Sequence, residues 1–209
     1  MLAIIDYGVG NLYSLCASLK KIGETAVVTS DEKIIRSADR IILPGVGAFA
    51  DAAAALEKSG MAKLLKELAA EGRPIMGICL GMQLLFEKSY EYGEHEGLGL
   101  IPGKVVPIAD VVPADHKIPH MGWNALEFKN GRHQLFSKIN EGDCVYFVHS
   151  YYAADCDEYV TAASEYGARI TAAVANKNVC GCQFHPEKSG EVGLRMLQNF
   201  AVIGQGASL

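Results

Sequence analysis

The stretch "GICLGMQLLFE", Gly77 to Glu87, sets a cysteine midway between two glycines. An apolar run precedes it and a helix-like pattern follows, which predicts a buried strand over 74–79 turning into a helix over 80–88. Gly77-x-Cys79-x-Gly81 is the thiol version of the G-x-S-x-G nucleophile elbow. A strand that turns abruptly into a helix exposes its corner side chain at the C-terminal edge of the sheet. The positions two before and two after crowd that corner, so only glycine fits. A thiol there meets the positive end of the helix dipole, which favours thiolate. The plain alternative is a buried structural cysteine, and the elbow alone leaves the two evenly matched.

Outward from the elbow, the first half alternates short β-like and helical runs. "LAIID" (2–6), "TAVVT" (25–29) and "RIILPG" (40–45) read as strands; 11–23, 49–58 and 61–71 read as helices. Such alternation predicts βαβ units and a parallel sheet covered on both faces. The second half is more β-like, through "KVVPI", "NALEF", "CVYFVHSY", "YVTAAS", "ITAAVA" and "VCGCQFHP", before a final helix near 189–200. Prolines 102, 107, 113 and 119 predict a loop-rich stretch over 99–122. The expected fold class is α/β: an open, mostly parallel, flavodoxin-like sheet flanked by helices. Antiparallel additions come in the second half, and residues 1–209 form a single domain.

Composition narrows the function. The formal charge of −5 has no basic cluster of the kind a nucleic-acid footprint needs. No apolar run approaches a membrane span, and "MLAIIDYGVGN" carries neither a basic start nor a signal core. The six cysteines include no C-x-x-C pair, which argues against a zinc site or disulfide framework and for a reducing cytoplasm. No nucleic acid, membrane or metal is therefore expected.

Two further segments bear on Cys79. In "FHPEKSG" (184–190), His185 and Glu187 stand two apart after an apolar run, where i and i+2 of an extended segment share a face. Glu187 could then accept from one ring nitrogen of His185 and leave the other for a thiol, the logic of a nucleophile–base–orienter triad. Taken alone, each is a core histidine or a solvated carboxylate. "LPGVGAF" (43–49) also follows a strand and precedes a helix, and its glycines let backbone N–H groups approach an oxyanion.

Together "PGVG", "GICLGMQ" and "FHPE" resemble the class I (triad) glutamine amidotransferases, in that family's order and approximate spacing over nearly the whole chain. The resemblance implies Cys79 as nucleophile, His185 as general base and acid, and Glu187 as its orienting residue. It implies an oxyanion site at Gly45, Val46, Gly47 and Leu80, and a glutamine pocket with Gly47, Gln83, Glu91, Ser150 and Tyr151. Glu91 has rivals in Glu94 and Glu96 of "SYEYGEHEG". His149 reads as a satisfied core histidine. "DYGVGNL", "PHMGWN", "FVHSYY" and "FHPEKSG" are similar to the branch of the family that serves histidine biosynthesis. That likeness implies a heterodimer with a (β/α)8-barrel cyclase subunit, facing it through Asn11, His120, Met121, Trp123 and Lys188. For Trp123 a core position is the competing expectation.

The implied chemistry is hydrolysis of glutamine to glutamate and ammonia through a cysteine thioester, with no cofactor. The motifs run from 44 to 187, so the expected consumer of ammonia is a second polypeptide. The rival expectations are a glutaminase subunit for an anthranilate or pyridoxal phosphate system, a cysteine hydrolase with another substrate, or an interaction protein that keeps the fold without activity. The intact Cys79–His185–Glu187 set argues against the last, and "PHMGWN" against the first.

Overall fold

The computed structural model describes residues 1–204. The first half supplies β1 (Leu2–Ile5), α1 (Leu12–Lys21), β2 (Ala26–Thr29), α2 (Glu32–Ser37), β3 (Arg40–Leu43), α3 (Phe49–Lys58), α4 (Met61–Ala70), β4 (Ile75–Ile78) and α5 (Leu80–Gln83). There follow β5 (Phe86–Ser89), β6 (His95–Glu96), β7 (Ile101–Pro107), β8 (His120–Ala125), β9 (Glu127–Phe128), β10 (Cys144–His149) and β11 (Tyr151–Ala154). The chain closes with β12 (Val160–Glu165), β13 (Arg169–Asn176), β14 (Val179–Cys182) and α6 (Gly190–Val202).

The main sheet has eight strands in the order β2-β1-β3-β4-β14-β13-β12-β9. Strands β2, β1, β3, β4 and β14 are mutually parallel, and β13, β12 and β9 add on antiparallel. This is the expected α/β class. All four residues of β1, β3, β4 and β14 are buried, as strands covered on both faces require. One core face packs Phe49, Leu56, Leu65 and Leu68 of α3 and α4 with Phe86 of β5 and Val105 of β7, strands of a separate four-stranded sheet in the order β11-β7-β5-β6. The other packs Leu15 and Leu19 of α1 with Leu197 and Phe200 of α6 and with Phe147 of β10. Because β3, β4 and β14 are adjacent and parallel, with Leu43, Gly77 and Gly181 in register, their C-terminal ends open side by side. The turns at 44–47, 79 and 183–187 thus arise next to one another.

Three expectations need correction. The helix over 80–88 is a single turn, α5, because Phe86–Ser89 instead pairs with β7 as a strand. A short apolar run such as "LLF" suits either element, and pairing decides it. The stretch 99–122 is less loop-like than its prolines imply: Ile101–Pro107 is a strand with Pro102 and Pro107 near its two ends, where a missing donor is tolerated. Helix α2 was not expected; Asp31 Oδ1 caps it by accepting from Lys33 N at 2.8 Å.

Candidate active site

Cys79 is the residue between β4 and α5, with φ 55° and ψ −114°. A non-glycine residue held there stores ~1–3 kcal/mol of strain and needs a surround that fixes it. The surround is visible. Cys79 N–H donates to Cys182 O at 2.8 Å, and Cys79 O accepts from Met82 N and Gln83 N at 3.0 and 3.1 Å. A Cβ on Gly81 would lie 1.9 Å from Leu43 O, and one on Gly77 2.5 Å from Gly81 O. The crowding foreseen from the motif is therefore real, and part of it comes from the neighbouring strand β3. Cys79 is 8% exposed and opens onto a cavity of about 540 Å³. Only one helical turn, α5, stands behind it, so the helix dipole at this corner is smaller than the sequence implied.

His185 also lines that cavity, and its Nδ1 stands 2.8 Å from Glu187 Oε1. The pair meets for a different reason than strand alternation. His185 lies past the end of β14 and caps a 3-10 turn over Pro186–Lys188, which folds Glu187 back under the ring. Ser189 locks the turn to β10: its Oγ donates to His185 O at 2.7 Å and accepts from Tyr146 N at 2.9 Å. Burial alone lowers the imidazole pKa. The neighbouring Cys79 sulfur and the Glu187 carboxylate outweigh it and raise it to about 9. With its pKa there, the imidazole carries its second proton at neutral pH.

Val46, Gly47 and Leu80 line the cavity; Gly45 does not, and borders instead a small separate void shared with His185 and Glu187. Tyr7 holds this turn, its hydroxyl donating to Pro44 O at 2.7 Å. Gln83, Glu91, Ser150 and Tyr151 line the cavity too. Of the three competing carboxylates only Glu91 does; its Oε2 accepts from Phe49 N at 2.6 Å at the start of α3. Glu94 instead pairs with Lys88, and Glu96 sits on β6, outside the cavity lining. Gln83 commits its Nε2 to Tyr151 O at 3.1 Å and Gln183 Oε1 at 2.9 Å. His149 is a satisfied interior histidine: Nδ1–H donates to Tyr151 O at 2.8 Å, and burial pushes its pKa down to about 3.

Of the residues expected to face a partner, Met121 and Trp123 are 59% and 56% exposed, so Trp123 is no core aromatic. Trp123 stands edge-on to Tyr146, whose ring also lies under Lys188 Nζ at 5.9 Å. Lys188 lines the cavity mouth. His120 is the exception and is corrected to an interior residue. It is fully buried, because alternation along β8 turns it inward, opposite His149, at a ring-nitrogen distance of 3.0 Å. Asn11 has local work as the cap of α1, accepting from Ser14 N at 3.4 Å. Sequence reasoning missed Tyr7, Ser189, Gln183 and Tyr92, which lines the cavity edge-on to Tyr151. For Gln183 a signal existed, a lone amide in the apolar run "VCGCQF".

A thiol at a strand–helix corner of a mostly parallel sheet, with histidine and glutamate just past the end of the neighbouring strand, is the arrangement that cysteine-dependent hydrolysis requires. The chain belongs to the class-I glutamine amidotransferases, whose family model matches residues 3–203. It is 51% identical over 200 residues to "Imidazole glycerol phosphate synthase subunit HisH" of Bacillus mycoides (strain KBAB4), covering 96% of this chain and 93% of that one. It is also 51% identical over 201 residues to the subunit of that name from Caldanaerobacter subterraneus subsp. tengcongensis, covering 96% and 97%. Among solved structures, a glutamine amidotransferase superposes with TM-score 0.73 at 18% identity, covering 96% of this chain and 99% of that one. PurLQS from Thermotoga maritima superposes with TM-score 0.72 at 22% identity, covering 96% of each. At those identities the two structures speak to the fold alone.

Proposed function

We propose that this chain is the glutaminase subunit of an imidazole glycerol phosphate synthase, acting in the cytoplasm in histidine biosynthesis. The observation that carries the chemistry is one cavity lined by Cys79 and His185, with Glu187 behind the imidazole and Glu91 also on the wall. Its volume falls within the ~300–1,000 Å³ usual for small-molecule sites. The high identity to subunits named for that synthase supports the pathway.

The Cys79 thiolate attacks the side-chain carboxamide carbon (Cδ) of glutamine, and the carbonyl pair moves onto oxygen. Backbone N–H groups of the Gly45–Gly47 turn and Leu80 receive that oxyanion; one such donor is typically worth ~3–4 kcal/mol. The C–N bond then breaks, and ammonia departs with the proton held by His185. Water, deprotonated by His185, adds to the thioester, and the C–S pair returns to sulfur as glutamate leaves. Glu187 keeps the ring in register throughout. Glu91 binds the substrate α-amino group, and the Gln83 amide oxygen remains as its polar contact to the pocket.

Ammonia passes to a (β/α)8-barrel cyclase subunit in a heterodimer docked on Met121, Trp123 and Lys188. Exposed aromatic residues are common anchors of such interfaces. The test is glutamate release by the purified chain, alone and with a cyclase subunit carrying its ligand. Slow release alone and strong stimulation by the liganded partner are expected. Equal rates would defeat partner gating, and no glutamate in either case would defeat the glutaminase reading.

A further inference from the structure

Gln183 directly follows β14 and is fully buried. It is not among the residues lining the glutamine cavity, and the triad gives it no role. Its Nε2 lies 3.6 Å from Cys79 Sγ, and its Oε1 2.9 Å from Gln83 Nε2. An amide's two ends are told apart by their partners, and here the partners leave one solution. The Tyr151 carbonyl can only accept, so Gln83 must turn its NH2 toward it. The second hydrogen of that nitrogen points at Gln183, which must answer with oxygen. Its own NH2 is thereby aimed at the sulfur. The Tyr151 carbonyl is itself fixed, because it also accepts from His149 Nδ1.

We propose that Gln183 is a hydrogen-bond donor to the Cys79 thiolate, locked in that orientation by Gln83 and the Tyr151 carbonyl. This rests on Cys79 being the nucleophile. A hydrogen bond to an ionised acceptor is roughly twice as strong as one to a neutral acceptor, so the donor favours thiolate over thiol. With α5 a single turn, Gln183 and the His185 imidazolium supply stabilisation that a longer helix would otherwise share. A more stable thiolate is less nucleophilic, but only by about half the exponent by which its population rises, so the rate gains at neutral pH. As the C–S bond forms, the sulfur loses its charge and the bond to Gln183 weakens. When the C–S pair returns to sulfur, the donor is already in place.

The test is the pH profile of iodoacetamide alkylation at Cys79, read by peptide mapping on the purified full chain. Gln183→Leu and Gln183→Met both lack the donor. Both should move the half-maximal pH upward by about one unit and cut alkylation at pH 7 about threefold, the lost thiolate being half offset by its greater nucleophilicity. Their kcat for glutamine should fall with KM unchanged. A purely packing role predicts that Met, the closer match in shape, keeps the wild-type profile; that outcome overturns the proposal. Should neither variant fold, Gln183→Glu keeps both the shape and the acceptor for Gln83, while turning a carboxylate oxygen toward the sulfur. Its alkylation at pH 8 should be at least about tenfold below wild type, and a wild-type rate overturns the proposal equally. Alkylation requires no turnover, so it is separable from the nucleophile assignment. Glutaminase activity surviving in Cys79→Ala would sink that assignment whatever the profiles show.

Discussion

Gly81 and Gly47 stand on neighbouring turns around one sulfur and are glycine for opposite reasons. At Gly81 there is no room: a Cβ would overlap the Leu43 carbonyl at 1.9 Å. At Gly47 there is nothing within 4 Å of a Cβ, but φ is +96°, a conformation that other residues adopt only with strain. The elbow is fixed by packing on every side. The 44–47 turn, proposed to receive the oxyanion, is held by Tyr7 on Pro44 and is open around Gly47. A nucleophile must be held still, whereas a turn that aims N–H groups at a developing charge can change orientation at small steric cost. Gly45 resembles Gly81 in this respect, since its Cβ would sit 2.7 Å from Gly81 N.

The largest effect should come from removing the sulfur. Cys79→Ala should lower glutamine turnover by more than about 10⁴-fold while keeping the fold and partner binding. Substitution of the exposed Cys144 should leave turnover unchanged. Comparable losses from the two would mean that the elbow is not the reacting corner. Next, His185→Ala should cost ~10²–10⁴-fold, and Glu187→Gln less, since it orients the ring without meeting substrate. Full activity in His185→Ala would require another base for Cys79.

The two glycines separate by the property they affect. Gly81→Ala forces backbone apart and should destabilise by about 3 kcal/mol or more, a melting drop of roughly 6–12 °C in a chain of this size. Gly47→Ala should cost only about 1 kcal/mol, or ~2–4 °C, yet lower the partner-stimulated rate about tenfold or more. A reversed order of melting temperatures would refute the division into a packed elbow and an open turn.

The smallest effect is a shift along the pH axis. His185 has its pKa raised from 6.5 to about 9 in the folded chain, chiefly by Cys79 and Glu187 acting against burial. Its contribution to stability is therefore complete below about 6.5 and disappears as pH rises through about 9. Turnover should fall over the same alkaline range, as the proton for departing ammonia is lost. Replacing Glu187 by Gln removes a charge that favours the imidazolium, so the alkaline limb should move to lower pH. An unmoved limb, followed in initial rates from pH 6 to 10, would assign it to another group.

Much of this was legible in the residues themselves. The elbow, the "FHPE" pair and the alternation of apolar runs depend on local chemistry: which residues tolerate a tight corner, and which runs must be buried. They foretold the α/β class, the parallel first half and the residues that meet in the cavity. Tertiary pairing decided the rest. Phe86–Ser89 is a strand because β7 offers it a ladder, a partner no local pattern announces. His120 is interior and Trp123 is not, because the register of β8 against β10 chooses which alternate face is covered. Glu91 prevails over Glu94 and Glu96 because a loop carries it to the start of α3, over the cavity. Gln183 acquires its orientation from a carbonyl 32 residues away in sequence, through an amide 100 residues away. Composition and spacing fix what each residue is able to do; only the folded chain decides which partner remains for an orientation-dependent bond.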